Sequence, residues 1–410
     1  MEKTRGKRIN LKSVRLWVTV GLLLGIVFVM YGWNLGKYVD GFSKTESASI
    51  KAAHSIGLEN IINAPYLYLQ KVSLGVFNNG IGVRLPSVLI GLFSLSLFYL
   101  LMRQLTNPRI AVLSSLMFAS ANWMLHVSRL GDPTVTNVLW PIASLLIAYN
   151  VYKFNLEWYW YVVAGLVLGL AAYTPRMIYF VIFAIVVGVL VFQRYDTKLH
   201  KAGAVAGIVT FIATLLPIIA GAVINPSQIS DILALPSRIP NLNSIIDNFA
   251  IALRTVAWRS DLAPYINLSN LPIMDIITLI FALLGLLVVF TDIRAPRGWL
   301  LLTMLASSLL IISILPVDNT NVYFLLPTIS IFSGIGLFTL WTRWRETFPT
   351  NKAARSLALI SLGIIVMLSI SYNFERYFLA WSRVPETQTA FSKSIDGNVI
   401  IKNKQFIKEE

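Results

Sequence analysis

Apolar residues come in long runs along this chain, separated by short polar stretches. The runs are about 16–22 residues long, enough for a helix to cross a hydrocarbon core about 30 Å thick. They predict eleven spanning helices, near residues 14–33, 85–102, 110–126, 134–152, 158–174, 177–193, 203–224, 273–290, 299–315, 322–341 and 356–372. Around "YTPR", residues 173–176, the pattern reads as two helices or as one kinked at Pro175. The two runs together are too long for one crossing, so two helices are expected. Between the first two spans, Ile50, Ala53, Ile56 or Gly57 and Leu58 recur at helical spacing, with Glu46, Ser49 and Lys51 on other faces. That pattern predicts a helix lying in the interface plane, capped by Ser43 or Thr45, with Glu46 in its first turn.

Composition supports the same picture. Hydrophobic residues make up 56% of the 410, and charged residues only 13%, whereas soluble domains carry about 25%. The net charge of +15 suggests nucleic acid at first sight. Much of the Lys and Arg lies between apolar runs, where membrane insertion places it, so no nucleic-acid partner is expected. The first fifteen residues carry six Lys/Arg, and the loops "RQLTNPR", "QRYDTKLHK", "TDIRAPR" and "TRWRETFPTNKAAR" carry two, three, two and four. The alternating loops "VSRLGDP", "YTPR" and "VDNTN" carry one, one and none. A cytoplasmic N-terminus follows, with a multi-pass plasma-membrane location. The first apolar run is long and is not followed by an A-x-A cleavage site, so it reads as an uncleaved anchor. The expected organisation is a basic arm (1–13), an all-α membrane domain (14–372) with long outer loops at 34–84 and 225–272, and a short extracytoplasmic tail (373–410). In that tail "SIDGNVII" reads as a short hairpin.

The chemistry open to such a chain is narrow. There is no Cys, and only His54, His126 and His200, so a protein-derived metal site would rest on carboxylates. Asp40, Glu46 and Asp132 can hold a divalent cation only if the fold brings them together. No cofactor is otherwise implied. No Walker motif, GxGxxG or GxSxG stands in a workable context. An enzyme working on the outer face without nucleotides must take its activated substrate from the membrane, which points to a lipid-linked donor.

Several residues could carry such chemistry, each with a plainer alternative. Glu46 is either a helix-capping acid or a general base at a cavity mouth. Arg84, just before Pro86, either snorkels to the interface or faces a lipid phosphate. His126, Arg129 and Asp132 crowd a short loop, where Arg129 and Asp132 either pair with each other or serve a site. Arg176 is the lone charge between two apolar runs, a placement that lines a cavity or faces the interface. Trp258 and Arg259, with Asp261 and Tyr265, suit either sugar contact or an interfacial aromatic belt.

The stretches in order resemble the superfamily C glycosyltransferases, nearest to bacterial relatives of the dolichyl-phosphate-mannose protein mannosyltransferases and the aminoarabinose transferase. "TESASIKAAHSIG" falls where the family has Asp-Glu leading into a helix. "APYLYLQKV" is similar to its Pro-Pro-Leu-Tyr stretch, and "GVRLPSVLIGLF" to its Ala-Leu-Arg-Leu-Pro-Ser segment. "HVSRLGDP", "GLAAYTPRMIYF" and "INLSNLPIMDIITLIFALLGLL" follow in the family's order, so the resemblance covers about residues 14–345. It implies inverting transfer of a sugar from a polyprenyl-phosphate donor to a glycan, lipid or protein acceptor outside the cytoplasm, among membrane lipids. It also implies a carboxylate base where this chain has Thr45, leaving Glu46 or Asp40 to supply it. By the same resemblance Arg84, Arg129 and Arg176 are candidates for donor phosphate or cavity contacts, and Lys71 substitutes for a family lysine. His126, Asp132, Tyr173, Trp258 and Arg259 are candidates for substrate contact. The alternatives are a non-catalytic protein on the same fold that binds a lipid-linked glycan or a partner, and a transporter. Long outer loops and the lack of repeats weigh against the transporter.

Overall fold

The computed structural model describes residues 11–391, apart from residues 40, 154–156, 195–199, 235–239, 269, 292–294 and 316–320. Among the described residues the chain is helical, with no strand. In chain order the helices are α1 (Leu11–Gly32), α2 (Lys44–His54), α3 (Ala64–Val76), α4 (Gly80–Leu105), α5 (Pro108–Ser120), α6 (Asn122–Arg129) and α7 (Thr136–Lys153). Next come α8 (Trp158–Ala171), α9 (Met177–Arg194), α10 (Lys201–Ile224), α11 (Ser227–Leu233) and α12 (Leu242–Ala257). The last are α13 (Ile276–Thr291), α14 (Pro296–Ile314), α15 (Leu326–Thr347), α16 (Lys352–Phe374) and α17 (Pro385–Phe391).

Each apolar run of the sequence forms helix. Among the described residues five helices are long and apolar enough to cross a membrane by themselves, or six if α5 and α6 count as one bent span. Four further apolar helices among the described residues are shorter. Exposed faces agree with a lipid surround. Val205, Ile208, Ile212 and Leu216 on α10, and Ile360, Ile364 and Met367 on α16, are all more than half exposed. A surface this apolar is stable against hydrocarbon and not against water.

Two sequence expectations are corrected here. The run at 110–126 is not one straight helix: it breaks at Ala121, and α5 and α6 diverge by 63°. Ala121 adopts extended backbone, and the Asn122 N–H donates to Asn373 Oδ1 on α16 (3.2 Å). A tertiary acceptor thus replaces the next helical carbonyl and turns the chain. The face of α2 also differs from expectation. Its buried residues are Glu46, Ser49, Ile50 and Ala53, and the helix ends at His54. These positions follow an i, i+3, i+4, i+7 stripe, so Glu46 and Ser49 share the apolar face. At "YTPR" the chain does form two helices, with Arg176 in a left-handed conformation (φ 68°) between them.

Close helix contacts use glycine. A Cβ on Gly285 (α13) would lie 1.9 Å from Phe332 O, and one on Gly336 (α15) 1.9 Å from Phe281 O. Between α8 and α10, a Cβ on Gly165 would lie 2.1 Å from Gly207 O. In lipid there is no hydrophobic drive between helices, so packing of this closeness does the joining. Gly285→Ala is expected to destabilise the fold by about 1–3 kcal/mol. Gly363→Ala on α16, where a Cβ meets nothing within 4 Å, should be neutral. Thermal unfolding of the two variants in detergent checks the contrast.

Candidate active site

The site grows from the start of α2. Ser43 and Glu46 form a capping box: the Glu46 N–H donates to Ser43 Oγ (3.1 Å), and the Ser43 N–H donates to Glu46 Oε2 (2.9 Å). Such a box satisfies two orphan donors of a helix N-terminus. Here the carboxylate does more. Arg84 Nε donates to Oε1 (2.8 Å) and Nη2 to Oε2 (3.4 Å), and the Gly131 N–H donates to Oε1 (2.9 Å). Glu46 is 0% exposed and Arg84 4%. The remaining Arg84 donors reach Leu35 O and Gly41 O, both at 3.0 Å. Gly131 must be glycine, because a Cβ there would lie 2.4 Å from Val83 Cγ1 and 2.9 Å from Val83 O.

This pair brings Asp132, next to Gly131 in the turn between α6 and α7, against α2. Asp132 is 3% exposed and accepts the Thr134 N–H (2.9 Å). The Thr45 hydroxyl lowers the pKa of its carboxyl and shares a hydrogen bond with Ser43 Oγ (3.1 Å). Burial pushes the Asp132 carboxyl above the ordinary carboxylate range. Nearby Glu46 adds to the rise, while Thr134 and Thr45 oppose it.

Sequence reasoning missed the polar side chains around this turn. Gln70 on α3 is fully buried, accepts from Ser49 Oγ (2.6 Å), and donates to Val83 O (3.1 Å) and Gly131 O (2.9 Å). Tyr66 and Ser87 share a hydrogen bond of 2.8 Å beneath it. A polar Gln inside the apolar run "YLYLQKV" was the available signal.

The other candidates occupy distinct places. Arg129 ends α6, so it is helical and buried, not in an open loop. It does not pair with Asp132. Its guanidinium donates to Met30 O, Tyr31 O and Trp33 O, each at 2.9 Å, and so caps the C-terminal end of α1. It also donates to Tyr377 Oη (3.2 Å) and lies over the Tyr38 and Phe378 rings (5.1 Å each). His126 is buried edge-on against Tyr377 and Trp381. Arg84, His126 and Arg129 share a cavity of only about 20 Å³, little more than one water needs. Arg176 donates to Asn321 Oδ1, in the 3₁₀ turn that also carries buried Tyr323, and its backbone N–H donates to Ile232 O (2.8 Å). Tyr173 is buried, with its hydroxyl donating to Thr214 O (2.8 Å).

Lys71 points outward from α3, Trp258 is 79% exposed, and Arg259 forms an exposed pair with Asp261 (3.5 Å). These three stand apart from the Glu46–Asp132 cluster. Asp40 and the predicted hairpin near residues 394–401 lie outside the described residues. Among the described residues no three His, Asp or Glu side chains converge as a metal site.

Residues 65–220 match the family model for dolichyl-phosphate-mannose-protein mannosyltransferase. The chain superposes on ArnT from Cupriavidus metallidurans in the apo state at TM-score 0.61 and 12% identity, covering 92% of this chain and 77% of ArnT. ArnT bound to undecaprenyl phosphate gives 0.54 and 13%, with the same coverage. Archaeoglobus fulgidus oligosaccharyltransferase AglB, in complex with an inhibitory peptide and a dolichol-phosphate, gives 0.52 and 13%, covering 92% of this chain and 56% of AglB. No curated protein matches. The chain has the fold of the superfamily C membrane glycosyltransferases, with the mannosyltransferase signature over part of its length. It is a multi-pass membrane protein.

Removing one partner of a buried ion pair leaves an uncompensated charge, a loss of about 3–5 kcal/mol. Glu46→Gln is therefore expected to lower the unfolding temperature in detergent sharply, while Lys71→Ala leaves it unchanged.

Proposed function

We propose that this protein transfers a sugar from a polyprenyl-phosphate donor to a hydroxyl acceptor at the membrane end where α2 meets Asp132. The observation that carries the reading is Asp132: a buried carboxyl, raised by its burial and accepting the Thr134 N–H, in the fold of lipid-dependent glycosyltransferases. Glu46 stood as the first candidate base. Its two oxygens already receive four donors, which makes it a locking group for α2. A raised carboxyl binds a proton more strongly than an ordinary one, which suits a base taking a hydroxyl proton.

In this mechanism Asp132 accepts the acceptor's proton as the acceptor oxygen attacks the anomeric carbon. The bond from that carbon to the phosphate oxygen breaks, and the configuration inverts. The polyprenyl phosphate departs carrying the bond's electron pair. Arg176, hydrogen-bonded to Asn321 and set between α8 and α9, is the cation assigned to meet that phosphate. The face is the extracytoplasmic one on the loop-charge argument. Thr45 stands where the family's base would be, and its hydroxyl favours the ionised form of Asp132.

A second reading, a non-catalytic binder of lipid-linked glycan, is favoured by the absence of an acid at Thr45. One experiment separates the two. Purified protein in lipid is given several polyprenyl-phosphate sugars, and transfer and hydrolysis are measured. Asp132→Asn should lower the rate by about 100-fold or more without lowering the unfolding temperature. Activity should fall as pH drops through the raised Asp132 range, because the base must be deprotonated. Thr45→Val removes a hydroxyl that favours the ionised form, so it should move that acid limb to higher pH. Undiminished turnover in Asp132→Asn sinks the base assignment. Donor binding with no turnover on any donor supports the binder.

A further inference from the structure

At the opposite end of the bundle from Asp132 lies a cavity of about 270 Å³. It is walled by the last turn of α4 (Leu105), the end of α13 (Val288, Val289), the start of α14 (Leu301) and the second half of α15 (Ile335, Phe338). Arg84 and Leu105 are 21 residues apart on α4, about 31 Å along the axis. The cavity is therefore about one hydrocarbon thickness from the site.

Its shape follows from the helix crossing. α13 and α15 pack backbone against backbone at Gly285 and Gly336. One turn further on, Val288, Val289 and Thr339 already line the open wedge. The wall is apolar in effect as well as in composition. Thr339 and Thr342 are its polar side chains within the helix barrel, and their hydroxyls donate to Ile335 O (2.9 Å) and Phe338 O (2.8 Å). Such a wall offers water no partners, so an unfilled cavity would forfeit dispersion contacts.

Among the described lining residues, charge stands at the mouth. Arg343 and Glu346 line it, paired at 3.2 Å, with 79% and 59% of their side chains exposed. A pair this exposed contributes little, so Arg343 can exchange its partner. The same helix end carries Trp344, with its indole N–H donating to Ala354 O (2.9 Å), and Arg345 over the Trp341 ring (4.6 Å). Trp and Arg together mark headgroup depth. Beyond them the chain continues basic, through Lys352 and Arg355.

We propose that this cavity binds one acyl chain of an anionic glycerophospholipid, with Arg343 meeting its phosphate. Charge complementarity selects the occupant: a hydrocarbon slot ends under a cationic, aromatic rim. The proposal rests on the membrane reading and not on sugar transfer, so inactivity toward every donor leaves it standing.

The test is native mass spectrometry of the purified protein in detergent, titrated separately with phosphatidylglycerol, phosphatidylcholine and undecaprenyl phosphate. Phosphatidylglycerol should be retained about five-fold over phosphatidylcholine, the preference that about one basic residue at a membrane surface supplies. Arg343→Gln should remove the preference, and Thr339→Trp should fill the slot and lower retention of both phospholipids. Glu346→Gln, which frees Arg343 from its carboxylate, should increase the preference. Arg343 and Glu346 are exposed, so their variants test the idea even if Thr339→Trp fails to fold. Equal retention of the two phospholipids, an Arg343→Gln variant with the original preference, or displacement of phosphatidylglycerol by equimolar undecaprenyl phosphate would overturn it.

Discussion

Glu46 and Arg84 meet with almost no solvent contact, 0% and 4% exposed. Taking both charges out of water costs more than their attraction returns unless every remaining lone pair and N–H is engaged. That condition is what shapes the site end of this protein. Glu46 needs the Ser43 and Gly131 N–H groups, and Arg84 needs the Leu35 and Gly41 carbonyls. Four distant pieces of chain are thereby held together: the end of the first span, the start of α2, the first turns of α4, and the turn after α6. Asp132 and Thr45 are neighbours because they flank residues this pair uses.

Arg129 does similar work on the other side of the same loop. It caps the carbonyl end of α1 and stacks on aromatic rings from Tyr38 and the segment after α16. That segment is itself tied down, with Tyr38 Oη donating to Phe378 O (2.5 Å) and the Trp381 indole to Pro264 O (2.6 Å). The connection between α1 and α4 is thus clamped by Arg84 and by Arg129. Both arginines hold the scaffold. Buried guanidinium groups suit this role because their planar fork can satisfy several carbonyls at once.

The two ends of the bundle obey different rules. At the site end, polar side chains are buried and hydrogen-bonded, which sets one arrangement of loops. At the other end, α13 and α15 separate beyond their glycine crossing and leave apolar space under an exposed charged rim. Membrane helices tolerate such a space where hydrocarbon can enter it, whereas a soluble core would collapse around it.

Much of the fold was legible in the sequence, because lipid demands long apolar runs and runs of that kind form helices. The helix α2 and its Ser43 cap, though not the face it buries, and the two-helix reading at "YTPR" were legible too, from local spacing and chain length. The bend at Ala121 was not, since it depends on Asn373, 251 residues away from Asn122. The site divides along the same line. The sequence singled out Glu46, Arg84, Arg129, Asp132 and Arg176 as charges in apolar surroundings, where each must have a partner or a purpose. Which partner each one took was decided only by tertiary structure. Glu46 chose Arg84 from 38 positions away, Arg129 chose the end of α1, and Asp132 was left beside Thr45. Hydrophobic period is a local property of the chain, while the satisfaction of a buried charge depends on whatever the fold brings within 3 Å of it.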